Sequence, residues 1–354
     1  MTVEPKYMER AIEIARNGLG YVSPNPMVGA VIVYHDRIIG EGYHRKFGGP
    51  HAEVNAVASV SEDDKEYLTD STMYVTLEPC SHYGKTPPCA DLIVRTGIPR
   101  VVVGCLDPFV KVSGRGVAKL RDAGIEVITG VLEAECRQLN KVFMTAHTFG
   151  RPFVTLKWAQ SRDGFMGGIK DGVKVPVKFS SAESAALVHA LRARHDAVIV
   201  GAGTVLADSP ALDVRFFSGN NPVVVVIDRS GKASEQCGNI TGRLLYYSAV
   251  KPLVDRAEWI RCSSDTSLQY ILSDLYSKGI TSVLVEGGGE ILSSFITAGC
   301  YDEARIEIAP VNLGETGTTE APVINSIPYK VENIGENIIM YFRNNSNNGA
   351  VLME

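Results

Sequence analysis

One histidine, one glutamate and two cysteines are the side chains of this sequence best suited to chemistry. His51 and Glu53 lie in HAE, and Cys80 and Cys89 bound the loop in PCSHYGKTPPC. One imidazole and two thiolates suit Zn²⁺, and three protein ligands leave a fourth position for water, as catalytic zinc sites do. The Glu53 carboxylate can take a proton from that water and pass it to a ring nitrogen and to a departing amine. The four residues therefore predict a hydrolytic zinc centre.

Two other interpretations fit the same residues. A structural zinc site needs a fourth protein ligand, which His44 or His82 would supply. Alternatively, His51 is a satisfied core histidine, Glu53 is a surface residue and the cysteines are buried thiols. Four matched positions in the right order, each at a predicted strand end or helix start, favour the catalytic interpretation.

Local patterns indicate which elements position these residues. PHAEVNAVASV predicts a helix that begins after a proline, so His51 and Glu53 lie in its first turn. TMYVTLEPC predicts a strand followed by a loop that holds Cys80, and PCADLIVRTGI predicts a helix that begins at Cys89. The positive end of a helix dipole favours a thiolate, so both helix starts suit metal ligands.

Helix and strand patterns alternate along the whole chain, which indicates an α/β fold. The pattern restarts around TAHTFGRPFVTLKWAQ, where Gly150 and Pro152 precede a fresh strand. We therefore predict two domains, 1–147 and 151–354, in a chain of 354 residues.

Composition excludes several classes of protein. The chain is 45% hydrophobic and 21% charged with a net charge of −5, which argues against long disorder and against a nucleic-acid footprint. We expect a cytoplasmic protein with no membrane association, because no apolar run reaches the length of a membrane span and MTVEPKYMER lacks a signal-peptide core. Seven cysteines spread thinly are unlike a disulfide framework. Five are interpreted as structural or incidental: Cys105, Cys136, Cys237, Cys262 and Cys300.

HAE followed by EPC and a second cysteine resembles the cytidine-deaminase-like zinc superfamily, although Cys80 to Cys89 replaces the usual C-x-x-C. LEPCSHYGKTPPC, together with PNPMVG, GEGYH and the Asp107-Pro108 pair, resembles the deaminase half of the bifunctional riboflavin-biosynthesis deaminase/reductase family. The resemblance implies that the loop carries His82 and Lys85 into a substrate pocket. It also implies substrate contacts from Asn25, which suits a pyrimidine edge, and from His44; the cationic groups suit a phosphoribosyl chain.

The second half resembles the reductase half of the same family, through LKWAQSRDG, LRARHDAVIVGAGTVLADSPALDVR and VEGGGEILSSF. The resemblance implies a cytidine-deaminase-like α/β/α domain followed by a dihydrofolate-reductase-like α/β domain. It implies an NADPH site at Thr204, Asp208, Gly288, Gly289, Glu290, Ile291, Leu292, Ser293 and Ser294. It implies a reductase substrate site at Lys157, Arg192, Leu212, Arg215 and Glu286, where two guanidiniums suit a ribose phosphate.

The residues alone support the cofactor site less specifically. SVLVEGGGEILSSF predicts a strand, a glycine turn and a helix, an arrangement that can bind a dinucleotide phosphate but that is also a common turn. Arg192 and Arg215 are also compatible with a solvated helix face or a salt bridge.

Four positions depart from the family pattern. Pro176 and Lys178 stand where family members carry a serine and a tryptophan, Ser209 replaces an acidic residue in ADSP, and Arg162 replaces leucine in SRDG. Losing the tryptophan removes apolar packing near the nicotinamide, and we expect Lys178 to compensate in part by pairing with a cofactor phosphate.

Together with the zinc-centre residues, the family resemblance implies a bifunctional enzyme with one Zn²⁺ per chain and NADPH. It would deaminate 2,5-diamino-6-(5-phosphoribosylamino)pyrimidin-4(3H)-one and then reduce the ribosyl side chain of 5-amino-6-(5-phosphoribosylamino)uracil to ribityl. One alternative is a deaminase with a degenerate C-terminal binding or oligomerisation domain. Another is a base deaminase acting on RNA, which the net charge of −5 and the second domain disfavour. The expected partners are small phosphoribosyl pyrimidines and further copies of the chain in a dimer or tetramer.

Overall fold

A computed structural model describes residues 3–83, 87–109 and 113–345 of the chain. The chain divides into two compact units, and the division falls between Phe149 and Gly150. The predicted domain limits lie on either side of this division. Among the described residues, no helix has the length and apolar character that crossing a bilayer requires.

The N-terminal unit is built around a five-stranded sheet with the strand order β2-β1-β3-β4-β5. The strands are β1 (Gly29–Tyr34), β2 (Arg37–Tyr43), β3 (Thr72–Leu77), β4 (Arg100–Cys105) and β5 (Glu126–Thr129). Strand β1 pairs antiparallel with β2 and β3, whereas β3, β4 and β5 run parallel. The helices are α1 (Pro5–Ala15), α2 (Ala52–Ala58), α3 (Cys89–Thr96), α4 (Arg115–Asp122), α5 (Glu133–Leu139) and α6 (Lys141–Phe149).

Helices cover both faces of this sheet. On one face, Ile32 and Val75 belong to a buried cluster that also contains residues of α2, α3 and α4. On the other face the strands approach helices so closely that glycine is required, because a Cβ on Gly29 would contact the backbone of Ala11 in α1. A Cβ on Gly104 would contact the sulfur of Cys136 in α5. The unit is therefore the α/β/α sandwich that the sequence predicts.

The C-terminal unit contains a nine-stranded sheet with the order β12-β11-β10-β9-β13-β6-β14-β17-β16 and a three-stranded sheet with the order β15-β7-β8. The strands of the large sheet are β6 (Phe153–Gln160), β9 (Ala197–Gly201), β10 (Val223–Ile227), β11 (Leu244–Ser248), β12 (Ala257–Arg261), β13 (Ser282–Glu286), β14 (Glu303–Ile308), β16 (Lys330–Ile334) and β17 (Asn337–Arg343). The small sheet comprises β7 (Phe165–Lys170), β8 (Val173–Pro176) and β15 (Gly317–Glu320). In this order, the first seven strands of the large sheet, from β12 through β9 and β6 to β14, run parallel. Strand β17 pairs antiparallel with β14, and β16 pairs antiparallel with β17.

Helices again lie on both faces of the large sheet. They are α7 (Ala182–Ala193), α8 (Ala202–Asp208), α9 (Leu268–Ser277) and α10 (Gly289–Thr297). Leu272 of α9 and Phe295 of α10 pack in one buried cluster with β6 residues such as Leu156. Val205 of α8 packs in a second cluster with Val198 and the other alternate residues of the strands. This layering buries runs such as VVVVI on both faces, which explains why they show no polar alternation.

The cysteines follow the prediction for a protein without a disulfide framework. All seven are free, and the five outside the proposed metal group are buried. They pack as small apolar side chains.

Candidate metal centre and cofactor cavity

The four residues of the predicted zinc centre come together beyond the carboxyl end of β3, the central strand of the N-terminal sheet. His51 is the N-cap of α2, and Glu53 lies in the first turn of that helix. Cys89 is the first residue of α3, and Cys80 follows the end of β3. Helix starts and a strand end therefore hold these side chains, as the sequence predicts.

The distances suit a single tetrahedral metal ion. The Nδ1 atom of His51 lies 3.2 Å from the Cys89 sulfur and 3.6 Å from the Cys80 sulfur, and all ligand atoms lie within 4.8 Å of one another. Ligand atoms about 2.0–2.3 Å from a tetrahedral zinc ion are separated by about 3.5 Å, so the donor set fits Zn²⁺. In the described part of the chain no other histidine, cysteine, aspartate or glutamate joins this group, which leaves a structural zinc site without its fourth ligand.

The protonation of the centre is set by its own contacts. A hydrogen bond from the Cys89 thiol and, to a smaller extent, one from His51 lower the pKa of Cys80 to about 4. The backbone N–H of Cys89 also donates to the Cys80 sulfur at 3.3 Å. Cys80 is thus a thiolate at neutral pH, whereas Cys89 keeps its proton, because its bond to Cys80 raises its pKa. Metal binding displaces that proton.

Glu53 is buried beside the ligands, with an exposed fraction of 3%. Burial raises the pKa of its carboxyl to about 7, and the Cys80 charge adds to this effect. A carboxyl with a pKa near the working pH can both accept and release a proton, which is the property a proton shuttle needs.

Two predicted substrate residues, Asn25 and His44, form a pair next to the centre. The Pro50 carbonyl accepts a hydrogen bond from His44 Nδ1 at 3.0 Å, so Nε2 accepts from the Asn25 amide at 3.1 Å. The His44 ring packs edge-on against the His51 ring, with centroids 5.5 Å apart. Burial lowers the pKa of His44, which favours the neutral form of the ring. With both nitrogens engaged, His44 is also unsuited to ligate zinc.

The remaining two predicted substrate residues lie on the loop between the cysteines. His82 is exposed and interacts electrostatically with Asp107. Lys85 lies outside the described residues. Asp107 in turn accepts a hydrogen bond from the backbone N–H of Phe109 at 2.8 Å.

The C-terminal unit contains a cavity of about 770 Å³. Gly201, Asp228 and Glu286 line it at, or just after, the carboxyl ends of β9, β10 and β13, where ligands bind in open α/β sheets. Most of the predicted reductase positions line it: Lys157, Arg192, Thr204, Asp208, Leu212, Glu286, Gly288, Gly289, Glu290, Ile291 and Ser294. Three do not: Arg215, Leu292 and Ser293.

Charged residues line the part of the cavity near β13. Arg192 makes a double hydrogen bond to Glu286, and its third nitrogen donates to the Asp213 carbonyl at 3.1 Å. Lys157 of β6 stands opposite Glu286 in the strand register. Burial alone would raise the pKa of Glu286, but the Arg192 hydrogen bonds and the charges of Arg192 and Lys157 lower it. Burial lowers the pKa of Lys157.

Arg215 lies apart from this group. Its side chain is exposed and pairs with Asp213 at 3.2 Å. Arg192 and Arg215 flank His189, but only Arg192 lines the cavity. The structure therefore does not bring the two guanidiniums together at the cavity wall.

The glycine turn shapes the part of the cavity between α8 and α10. The Gly288 N–H donates to the Thr204 hydroxyl at 2.9 Å, which ties the start of α10 to α8. Gly289 lies so close to the Glu320 carbonyl that a Cβ there would be 2.9 Å from it. The first turn of α10 thus lines the cavity, an arrangement that suits a phosphate group.

The departures from the family pattern have separate consequences. Lys178 is exposed and does not line the cavity, whereas Val175 and Val177 do and supply apolar surface there. Pro176 ends β8, paired with Gly167. Ser209 adopts a positive φ of 40° at the end of α8, and its carbonyl accepts the Asn239 amide. The backbone N–H of Arg162 donates to the Val311 carbonyl at 2.8 Å.

Sequence reasoning missed two groups of residues around these sites. Glu78 in EPC is buried against four backbone N–H groups. Asp228, Arg229 and Ser230 line the cavity. The signal for both was an acidic residue directly after a buried strand, in TMYVTLE and PVVVVID.

Comparison with known proteins covers both units. The family model described as the cytidine and deoxycytidylate deaminase zinc-binding region matches residues 1–105, and that of the RibD C-terminal domain matches residues 152–339. Riboflavin biosynthesis protein RibD of Aquifex aeolicus is 40% identical, covering 96% of this chain and 98% of that protein. RibD of Escherichia coli is 35% identical over 87% of this chain and 88% of its own.

Solved structures agree with these matches. The diaminohydroxyphosphoribosylaminopyrimidine deaminase/5-amino-6-(5-phosphoribosylamino)uracil reductase of Thermotoga maritima has a TM-score of 0.83 at 40% identity, with 96% of this chain and 98% of that chain covered. Acinetobacter baumannii RibD has a TM-score of 0.82 at 34% identity, with the same coverage. The fold class predicted from the sequence is confirmed, as are Zn²⁺ and NADPH as cofactors. The chain belongs to the RibD family of bifunctional deaminase/reductases in riboflavin biosynthesis.

Proposed function

We propose that the N-terminal unit hydrolytically deaminates 2,5-diamino-6-(5-phosphoribosylamino)pyrimidin-4(3H)-one. The C-terminal unit then reduces the ribosyl side chain of 5-amino-6-(5-phosphoribosylamino)uracil to ribityl. The similar Thermotoga maritima protein is named for both reactions. The observation that carries the proposal is the grouping of three ligand atoms within 4.8 Å of one another, with buried Glu53 beside them. Matches over both units disfavour the alternative of a deaminase with a degenerate second domain.

In the deaminase, His51, Cys80 and Cys89 hold the metal and Glu53 moves the protons. Bound zinc supplies Lewis acidity, which lowers the pKa of water. Glu53 accepts a proton from water as the water oxygen adds to the amine-bearing ring carbon, and it delivers that proton to the adjacent ring nitrogen. Glu53 then takes the remaining proton from the added hydroxyl and passes it to the amine, so that the carbon–nitrogen bond breaks, ammonia leaves and a ring carbonyl forms.

Asn25 and His44 orient the pyrimidine in this proposal. His44 is fixed by the Pro50 carbonyl and accepts one N–H of the Asn25 amide. The second N–H and the carbonyl oxygen of Asn25 then face the ring edge of the substrate. His82 and Lys85 contact the phosphoribosyl chain, which is consistent with the exposed position of His82.

In the reductase, the residues of the cavity align the sugar with the cofactor. NADPH supplies hydride when it is bound. The first turn of α10, with Thr204 and Asp208 of α8, holds the cofactor, while Lys157, Arg192, Leu212 and Glu286 hold the substrate. In its ring-opened imine form the sugar accepts hydride at C1′ and a proton at nitrogen. The cavity volume of about 770 Å³ is typical of sites that enclose most of a small-molecule ligand.

We further propose that the enzyme is cytoplasmic, forms homo-oligomers and binds no nucleic acid. Seven free cysteines suit a reducing compartment such as the cytoplasm. A chain with a net charge of −5 lacks the excess of basic residues that nucleic-acid-binding proteins carry. Light scattering on the purified chain measures the oligomeric state, and a gel shift with tRNA at low salt tests the absence of RNA binding.

A mass-spectrometric assay tests both reactions. Zinc-loaded full-length protein is incubated with the diaminopyrimidine ribotide, with and without NADPH. We expect the deaminated product without NADPH and a further gain of two hydrogens when NADPH is added. An unchanged substrate would overturn the deaminase assignment. Deamination without the gain of hydrogen would overturn the reductase assignment and support the degenerate second domain.

A further inference from the structure

Glu78 is a buried carboxylate enclosed by backbone N–H groups, with an exposed fraction of 4%. One oxygen, Oε2, accepts from Asp107 at 3.3 Å and from Gly114 at 2.9 Å. The other, Oε1, accepts from Gly116 at 2.8 Å and from Val117 at 3.2 Å. The carboxylate therefore joins the segment after β4 to the first turn of α4.

The main chain of Glu78 is fixed as firmly as its side chain. Its N–H donates to the Cys105 carbonyl at 3.0 Å, directly beyond the last pair of the β3–β4 ladder. Glu78 is thus held to β4 through its backbone and to α4 through its carboxylate. The positive end of the α4 dipole and the N–H groups compensate the buried negative charge.

Gly116 makes this arrangement possible. A Cβ at this position would contact the Pro79 carbonyl oxygen and would lie 3.2 Å from the Glu78 carboxylate. Helix α4 therefore packs directly on the Pro79 carbonyl and the Glu78 side chain, which only a residue without a side chain permits.

Cys80 is two residues beyond Glu78. Pro79 between them has a restricted φ, so little freedom separates the anchored carboxylate from the metal ligand. On its other side Cys80 is held by α3, because its carbonyl accepts the Ala90 N–H at 3.1 Å and its sulfur accepts the Cys89 N–H at 3.3 Å. Glu78 and α3 fix Cys80 from opposite ends.

We propose that Glu78 is a positioning residue of the zinc centre, which holds Cys80 where His51 and Cys89 also reach the metal. This inference rests on the proposed zinc ligands. Glu78 contacts none of the reacting atoms, and its effect passes through the main chain to the ligand.

Zinc affinity of the full-length chain, measured by competition with a chromophoric chelator, tests this role. Losing a residue that orients a ligand costs about 10- to 100-fold in metal affinity, so we expect E78Q to raise the zinc Kd by that factor. Deaminase kcat should recover at saturating zinc, because Glu78 does not take part in the chemistry. Recovery of deaminase activity at saturating zinc reports that the N-terminal unit is folded, and unchanged reductase activity reports that the C-terminal unit is intact.

E41Q is the matched control, since Glu41 of β2 accepts two hydrogen bonds from Arg10 in the same unit but lies away from the ligands. Its zinc Kd should equal that of the wild type. E78D keeps the negative charge on a shorter side chain that cannot reach all four N–H groups, and it should weaken zinc binding in the same direction. It provides the test if E78Q does not fold.

Wild-type zinc affinity in E78Q or in E78D, or deamination that stays lost at saturating zinc, would overturn the inference. Wild-type protein that takes up no zinc would instead overturn the ligand assignment itself.

Discussion

Arg192 of α7 and Glu286 of β13 form a bidentate ion pair in the wall of the reductase cavity, with both nitrogen–oxygen distances at 2.8 Å. The two side chains are only 13% and 12% exposed, so neither charge is screened well by water. The pair fixes a carboxylate beside Lys157 and orients a guanidinium whose remaining donor holds the Asp213 carbonyl.

The first prediction follows from this geometry. Lysine keeps the charge of arginine but cannot form two parallel hydrogen bonds, so R192K should lower the kcat/KM of the reductase about 100-fold. Deaminase activity should not change. R243K is the control, because Arg243 pairs with Glu258 at an exposed site in the same unit. An R192K enzyme that reduces at the wild-type rate would show that the pair is not needed.

The second prediction concerns Glu53. E53Q should retain one zinc ion per chain, measured by metal analysis, because the three proposed ligands remain. Its deaminase kcat should fall by about 10²- to 10⁴-fold, because an amide cannot carry the proton. E126Q, which alters an exposed residue of β5, should leave the zinc content and the deaminase kcat unchanged. Loss of zinc from E53Q would mean that Glu53 belongs to the ligand set.

The third prediction tests the contact between α8 and α10. T204V removes the hydroxyl that accepts the hydrogen bond of the partly buried Gly288 N–H, and the loss of such a bond costs about 0.5–1.5 kcal/mol. We expect the NADPH Kd, measured by titration calorimetry, to rise about 10-fold. T204S keeps the hydroxyl and should bind NADPH as the wild type does. Equal NADPH affinities of T204V and T204S would show that this contact does not contribute to cofactor binding.

The fourth prediction concerns pH and Asp228, which is 1% exposed. Burial alone would raise the pKa of this carboxyl, but hydrogen bonds from Tyr246, Ala233, Ser230 and Gly231 lower it below its usual value of 3.8. A lowered folded-state pKa stabilises the native protein at every pH above 3.8, and this contribution is lost as the pH falls from 3.8 through the folded-state pKa.

D228N should therefore lower the free energy of unfolding by about 1–3 kcal/mol at pH 7 and equally at pH 5. The difference from the wild type should narrow at pH 3. Urea unfolding followed by tryptophan fluorescence measures this, because Trp158 and Trp259, the two tryptophans of the chain, both lie in the C-terminal unit. D265N, at an exposed aspartate, should show no such pH-dependent difference. If the difference in unfolding free energy between wild type and D228N is unchanged at pH 3, the Asp228 carboxylate is not its cause.

The positions of the zinc-centre residues could be predicted because local rules place them. A proline before an apolar-periodic segment fixes where α2 begins, so His51 and Glu53 share one turn. The same rule places Cys89 at the start of α3. This rule depends only on neighbouring residues and not on distant parts of the chain.

The reductase positions were harder to assign, for reasons of helix geometry. Residues 288 to 294 extend over more than one turn of α10, so a helix of 3.6 residues per turn must direct some of them away from the cavity. Leu292 accordingly packs in the core, and Ser293 is exposed. Arg215 follows Leu212, whose φ of 53° redirects the chain in a way that spacing does not reveal.

The small sheet of β15, β7 and β8 was not recognised in the sequence. Its strands are short, and FMGGIK carries two glycines, so neither periodicity nor propensity indicates a strand. Register with partners far along the chain, such as Phe165 with Glu320, defines it instead.

This small sheet has a consequence for how substitutions act on the cavity. Met166, Val175 and Thr319 line the cavity from the small sheet, while Lys157 and Glu286 belong to the large parallel sheet. Main-chain ladders hold the small sheet together, so a side chain there can be exchanged without loss of the hydrogen bonds that define the sheet. The two departures in GVKVPVKFSS fall in β8 or two residues after it. Substitutions in the small sheet therefore alter the shape of the cavity while the strands that carry the charged groups stay in place.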